Sequence, residues 1–255
     1  QESMDRADVV NIESNMSRFK DSIRTISGGK MSAEYETIEI TEPITSLSYD
    51  EENGYYLSEE DAAGLIDSHL QGKDYDHIFV VMKLGDINKN LTGDIHDWIG
   101  LGGMDYYGIG YSNVKIPEKN NYSFTYNASL NTFTEEVFIH EFLHTLERNS
   151  EENGYTVPAL HDYSMYGYTD EKVVGLKRWY TDYMQCQVME ADTSRIGLPQ
   201  EIYSIKPATL IDFEYTYELD ALKEPQNVIE EIKSIIERIE KLFANREEIE
   251  IGWSV

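Results

Sequence analysis

His140-Glu141-Phe142-Leu143-His144 is the stretch from which the rest of this chain is read. On an α-helix, residues i and i+4 stand on one face, so the two imidazoles reach the same point and Glu141 stands beside it. Two imidazoles and one further ligand fill three positions of a tetrahedral Zn²⁺; water takes the fourth, where a neighbouring carboxylate can act as base. The flanking sequence predicts a helix over about 134–148. Thr134 offers a capping hydroxyl, Glu135 and Glu136 lie at the positive end of the macrodipole, and Val137, Phe138, Ile139, Phe142, Leu143 and Leu146 make the segment largely apolar. A core helix whose histidines merely bond to neighbours is the plainer reading, but so apolar a segment seldom carries two histidines and a glutamate without a purpose.

A third protein ligand is needed, and Pro158-Ala159-Leu160-His161-Asp162-Tyr163-Ser164-Met165-Tyr166-Gly167-Tyr168 offers one. His161 lies 17 residues beyond His144, enough chain to fold back on the metal, and its imidazole is neutral at pH 7. Asp162 is the first alternative, and Glu171 and Glu190 are the others. With His161 bound, Asp162 becomes the carboxylate expected to orient it.

His140, Glu141 and His144 resemble the metal motif of the zincin metallopeptidases, a likeness that covers roughly residues 60 to 185. It implies an α+β fold, a two-lobed catalytic domain with a mixed sheet, a central metal-binding helix and a C-terminal helical lobe. The upper lobe would span 1–149, and the lower lobe, 150–255, would carry the third ligand. Ser164-Met165-Tyr166 looks like the methionine turn beneath the zinc in metzincins. Their long motif, however, would put glycine at 147 and histidine at 150, where this chain has Glu147 and Ser150. The run from Asp162 to Tyr166-Gly167 is also similar to the aspartate-ligated zincins, offset by one residue.

The resemblance implies a zinc-dependent endopeptidase acting on a peptide or protein, secreted or at the cell surface, and monomeric. Glu141 would take a proton from water and pass it to the leaving amine, while Tyr168, or failing that Tyr166, would donate to the oxyanion. The alternative is a zincin-fold binding or adhesion module for a peptide or glycan, without turnover. A structural zinc closed by four protein ligands, His161 and Asp162 both bound, is the third reading.

The net charge of −27 argues against nucleic acid or an anionic membrane as partner, since both would be repelled. One cysteine, Cys186, excludes an intrachain disulfide, and its setting reads as an inert thiol. No run approaches the ~20 apolar residues of a membrane-spanning helix. A chain beginning at Gln1 is compatible with loss of an export signal.

Elsewhere, residues 6 to 26 have helical spacing and stop at Gly28-Gly29. Tyr35 to Tyr49 reads as extended chain interrupted at Pro43, and Ser58 caps a helix to Leu70. His77 to Met82 reads as an interior strand. Asp86, Asn88 and Asn90 open a loop with partial EF-hand spacing, a candidate structural Ca²⁺ site, although Leu91 stands where glycine is needed. The Tyr107-Gly108-Ile109-Gly110-Tyr111 alternation suits a strand closely approached by another backbone; Tyr107, Ile109 and Tyr111 are read as a sheet edge that receives substrate, with plain glycine-rich packing as the equal alternative. Helices are predicted over Glu171–Met184 and Asn227–Phe243, with extended chain over Ile202–Leu219.

Overall fold

The computed structural model describes residues 4–83, 98–116, 135–171, 174–190 and 194–205. All of them fall in one compact unit, Gln1–Leu210; the second, Ile211–Val255, lies outside the described residues, as do the predicted Asn227–Phe243 helix and the Ca²⁺ loop of Asp86, Asn88 and Asn90. The architecture is mixed α and β.

Helix α1 (Arg6–Ile26) begins where Asp5 accepts the Ala7 and Asp8 backbone N–H groups and Asp8 returns a bond to the Asp5 N–H. Its buried face, Ile12, Met16, Phe19, Ile23 and Ile26, follows 3 and 4 residue spacing, and the helix ends before Gly28 and Gly29. Of the extended stretch predicted from Tyr35, only β1 (Ser48–Asp50) is a strand; it pairs with β2 (Gly54–Tyr56) in a hairpin. Helix α2 (Glu59–Leu70) starts at Ser58, whose hydroxyl accepts the Asp61 N–H.

Strands β3 (His77–Lys83), β4 (Gly100–Tyr106) and β5 (Ile109–Ile116) form a mixed sheet in the order β3-β5-β4. β5 runs parallel to β3 and antiparallel to β4. Two expectations are corrected here. β3, read as interior, lies at an edge among the described residues: a continuous apolar run reports that faces are covered and says nothing of how many neighbours a strand has. Ile109 and Tyr111, read as an edge for substrate, stand on the central strand, with both sides bonded, and Tyr107 lies in the β4–β5 turn. Among the described residues β4, bulged between Leu101 and Met104, is the other outer strand.

Helix α3 (Glu136–Glu152) crosses this sheet and packs against α1 as well, with Phe138, Ile139 and Leu143 fully buried. Thr134, the predicted cap, lies outside the described residues; the residue before the helix, Glu135, instead accepts the Ser22 hydroxyl and pairs with Arg18 of α1. The helix runs on past Asn149 to Glu152, and Gly154 follows with φ near 80°. A 3-10 helix, Leu160–Tyr166, comes next, then α4 (Lys177–Met184). α4 begins six residues later than predicted because Gly175 takes φ near 54°, closing a turn with Glu171 that no helix could contain. Its Trp179, Tyr180, Tyr183 and Met184 are essentially buried, and burial of each contributes on the order of 1.5–3 kcal/mol. A short β6–β7 hairpin (Val188–Met189 with Arg195–Ile196) follows; Ile202, predicted extended, lies in a 3-10 turn, Gln200–Ser204.

Candidate metal centre

Helix geometry puts His140 and His144 one turn apart on α3, and the Leu160–Tyr166 segment returns His161 to the same point. The Nε2 atoms of His140 and His161 are 2.9 Å apart, those of His144 and His140 3.3 Å, and the three potential ligand atoms all lie within 4.8 Å of one another. Ligands about 2.0–2.1 Å from a tetrahedral ion stand about 3.3 Å from each other, so the cluster is close enough to hold a metal ion.

The far side of each α3 ring is fixed. His144 Nδ1 lies 2.9 Å from Glu147 Oε2, and since a carboxylate only accepts, the Nδ1 carries the proton and Nε2 presents its lone pair to the cluster. His140 Nδ1 meets the Tyr180 hydroxyl at 3.1 Å, and that hydroxyl also lies 3.4 Å from Glu136 Oε1. Burial pushes His140 down to about 3, with His144 and His161 adding to the effect, and burial also lowers His161. Three imidazoles converging nitrogen to nitrogen within ligand distance of one point suit a cation between them.

Glu141 is buried, and its carboxylate lies against the backbone of β4 at Gly100 and Gly102. Burial raises it to about 7, with His144 and the Gly102 N–H pulling the other way. A side chain at either glycine would collide with Glu141, and Gly103 lies against His144 Cβ. Arg148, one turn beyond His144, ties helix to strand by donating to the Gly103 and Met104 carbonyls at 3.2 and 2.6 Å and pairing with Asp105 at 3.1 Å. Behind the helix, His77 of β3 lies 3.0 Å from both Ser112 Oγ and Thr145 Oγ1.

Other expected site residues fall elsewhere. Met165 is 76 % exposed, so it is no floor beneath the histidines; the apolar support comes from α4, where Tyr180 packs edge-on against His140. The Tyr168 hydroxyl donates to Asp182 at 2.7 Å; burial, reinforced by that bond, pushes it up to about 12, and Tyr166 stacks on Trp179. Asp162 is outside the cluster and, among the described residues, makes no hydrogen bond to His161; Glu171 and Glu190 are exposed and also outside it. The carboxylates that orient the rings are Glu147, directly, and Glu136, through Tyr180. Both had a sequence signal: they lie three residues after His144 and four before His140, on the same helix face. Tyr180 had none beyond its place in an apolar stripe.

Comparison with protein-family models, with curated proteins and with solved structures gives no match to this chain, so any function must be argued from the geometry itself.

Proposed function

We propose that the protein is a zinc metallopeptidase of zincin-like, two-lobed architecture. The observation that carries this reading is the convergence of His140 and His144 of α3 with His161, and with Glu141 on α3 packed against β4, an outer strand among the described residues. Three imidazoles and no carboxylate suit Zn²⁺ better than the oxygen-seeking Ca²⁺ or Mg²⁺. Bound there, zinc would supply a Lewis acid that polarises a scissile carbonyl and lowers the pKa of water.

The chain's own residues do the rest. Glu141 receives the proton of the attacking water on its carboxylate and delivers it to the departing amine, a role suited to a group raised towards neutrality. The outer edge of β4 offers backbone groups to an extended peptide. Beside it, a cavity of about 280 Å³ between the β1–β2 hairpin and residues Leu101 to Met104 has room for a substrate side chain. Gly102 and Gly103 belong both to that cavity and to the surroundings of Glu141 and His144.

The test is zinc content together with turnover of a peptide library, with Glu141→Gln as control. The expected result is about one zinc per chain, retained in the variant, with hydrolysis lower by at least about 10²-fold. Zinc without any turnover in the wild type would favour a binding module, and no zinc would end the reading.

A further inference from the structure

Helix α3 by itself brings His140 and His144 together, but His161 arrives from a separate segment after a turn at Gly154, and something must hold that segment in place. We propose that Glu147 assembles the three-histidine centre as a positioning residue, one carboxylate oxygen setting the His144 tautomer and the other fixing the backbone that carries His161. This rests on the metal-binding reading given above.

The geometry is that of a bridge. Glu147 Oε2 lies 2.9 Å from His144 Nδ1, while Oε1 accepts the Leu160 N–H at 2.7 Å. Leu160 directly precedes His161 and is itself 1 % exposed, and its carbonyl accepts the Trp179 indole N–H at 3.0 Å. The peptide groups on either side of Leu160 are thus held by two different helices, one by Glu147 and the other by Trp179. The Asp162 N–H to Ala159 C=O bond is internal to the segment and cannot set its place against α3, and the His161–His140 contact at 2.9 Å joins two rings of the cluster itself and does not hold the backbone. A carboxylate has two acceptor oxygens and no donor, so it can serve both partners at once. Glutamine offers one acceptor and one donor and can satisfy only one of them. Aspartate keeps the charge but is one methylene too short to span both.

Metal-free wild-type protein should show His144 as the Nδ1–H tautomer in long-range ¹H–¹⁵N spectra, with the Leu160 amide protected from exchange. Glu147→Gln should lose the single tautomer and the protection, while His140, whose Nδ1 faces Tyr180, keeps its own signal. Zinc affinity, measured by chelator competition, should fall about 10 to 100-fold in Glu147→Gln and also in Glu147→Asp. A wild-type His144 in the Nε2–H form, a freely exchanging Leu160 amide, or unchanged affinity in Glu147→Gln would overturn the proposal. Full affinity in Glu147→Asp would also overturn it, reducing the role to charge. Should the glutamine variant not fold, the two wild-type measurements still decide. A wild type that binds no zinc, yet has the expected tautomer, would refute the metal reading and not the bridge.

Discussion

The contact between α3 and β4 that seats Glu141 can be broken with one methyl group. A Cβ on Gly102 would stand 2.6 Å from Glu141 Oε2, 2.8 Å from the Glu141 carbonyl oxygen and 2.9 Å from its Cα. Ordinary contact begins near 3.4 Å, and two of these three atoms belong to the helix backbone, which cannot rotate aside. Gly102 does not have a positive φ, so Gly102→Ala tests the contact and not backbone strain. Overpacking of this kind costs about 1–3 kcal/mol. With a urea slope near the upper end of ~1–3 kcal/mol per molar, the unfolding midpoint should fall by about 0.3–1 M. Relief requires α3 to move away from the sheet, carrying Glu141 with it. A misplacement of ~1 Å costs on the order of 10²-fold in rate, so peptide hydrolysis should drop at least about tenfold. Gly64, on α2, is the control: nothing lies within 4 Å of its would-be Cβ, and alanine there should stabilise by up to about 1 kcal/mol. Gly102→Ala as stable and as active as Gly64→Ala would refute the packing of Glu141 against β4.

Further outcomes follow from the same geometry. His161→Ala should weaken zinc binding by several orders of magnitude, whereas Asp162→Asn, which breaks no bond to His161, should cost less than the ~10–100-fold typical of outer-shell partners; chelator competition reads both. Tyr180→Phe should lower zinc affinity within that same range, since only the hydroxyl facing His140 Nδ1 is removed; wild-type affinity in the variant would exclude its role. Burial, with a smaller contribution from Arg148, pushes His77 down from 6.5 to about 3. The unfolded chain therefore binds a proton below about 6.5 that the folded chain refuses until about 3, and stability falls as pH drops through that window. The slope from this group is about 1.4 kcal/mol per pH unit, so His77→Asn should show a shallower loss of urea midpoint between pH 6 and 4, roughly. An unchanged slope would mean that the His77 ring titrates freely in the native state.

Sequence alone determined what depends on neighbours along the chain. Helical spacing and local caps set α1 and α2, whose ends at Ile26 and Ser58 need nothing beyond a few adjacent residues. The same locality placed His140 and His144 on one face with Glu141 beside them, since a 3.6-residue period fixes that relation in any helix. It also put His161 first among the third ligands, with Asp162, Glu171 and Glu190 as alternatives, and tertiary structure brings His161 to the other two imidazoles. What the sequence could not carry was which strand lies next to which. Gly100, Gly102 and Gly110 are legible as small residues, but that the first two make room for Glu141 and the third for Thr145 and His77 is a fact about a helix crossing a sheet. The same holds for β5, whose alternation is identical whether it stands at an edge or in the centre, because period two reports faces and not neighbours. The roles expected of Met165 and Tyr168 come from the resemblance to the metzincin turn, and tertiary packing turns the first to solvent and the second to Asp182. Tyr180 and the Leu160 end of the Glu147 bridge join groups 40 and 13 residues apart in the chain. Contacts at such separations are chosen by the packing of whole elements, whose energy no local pattern records.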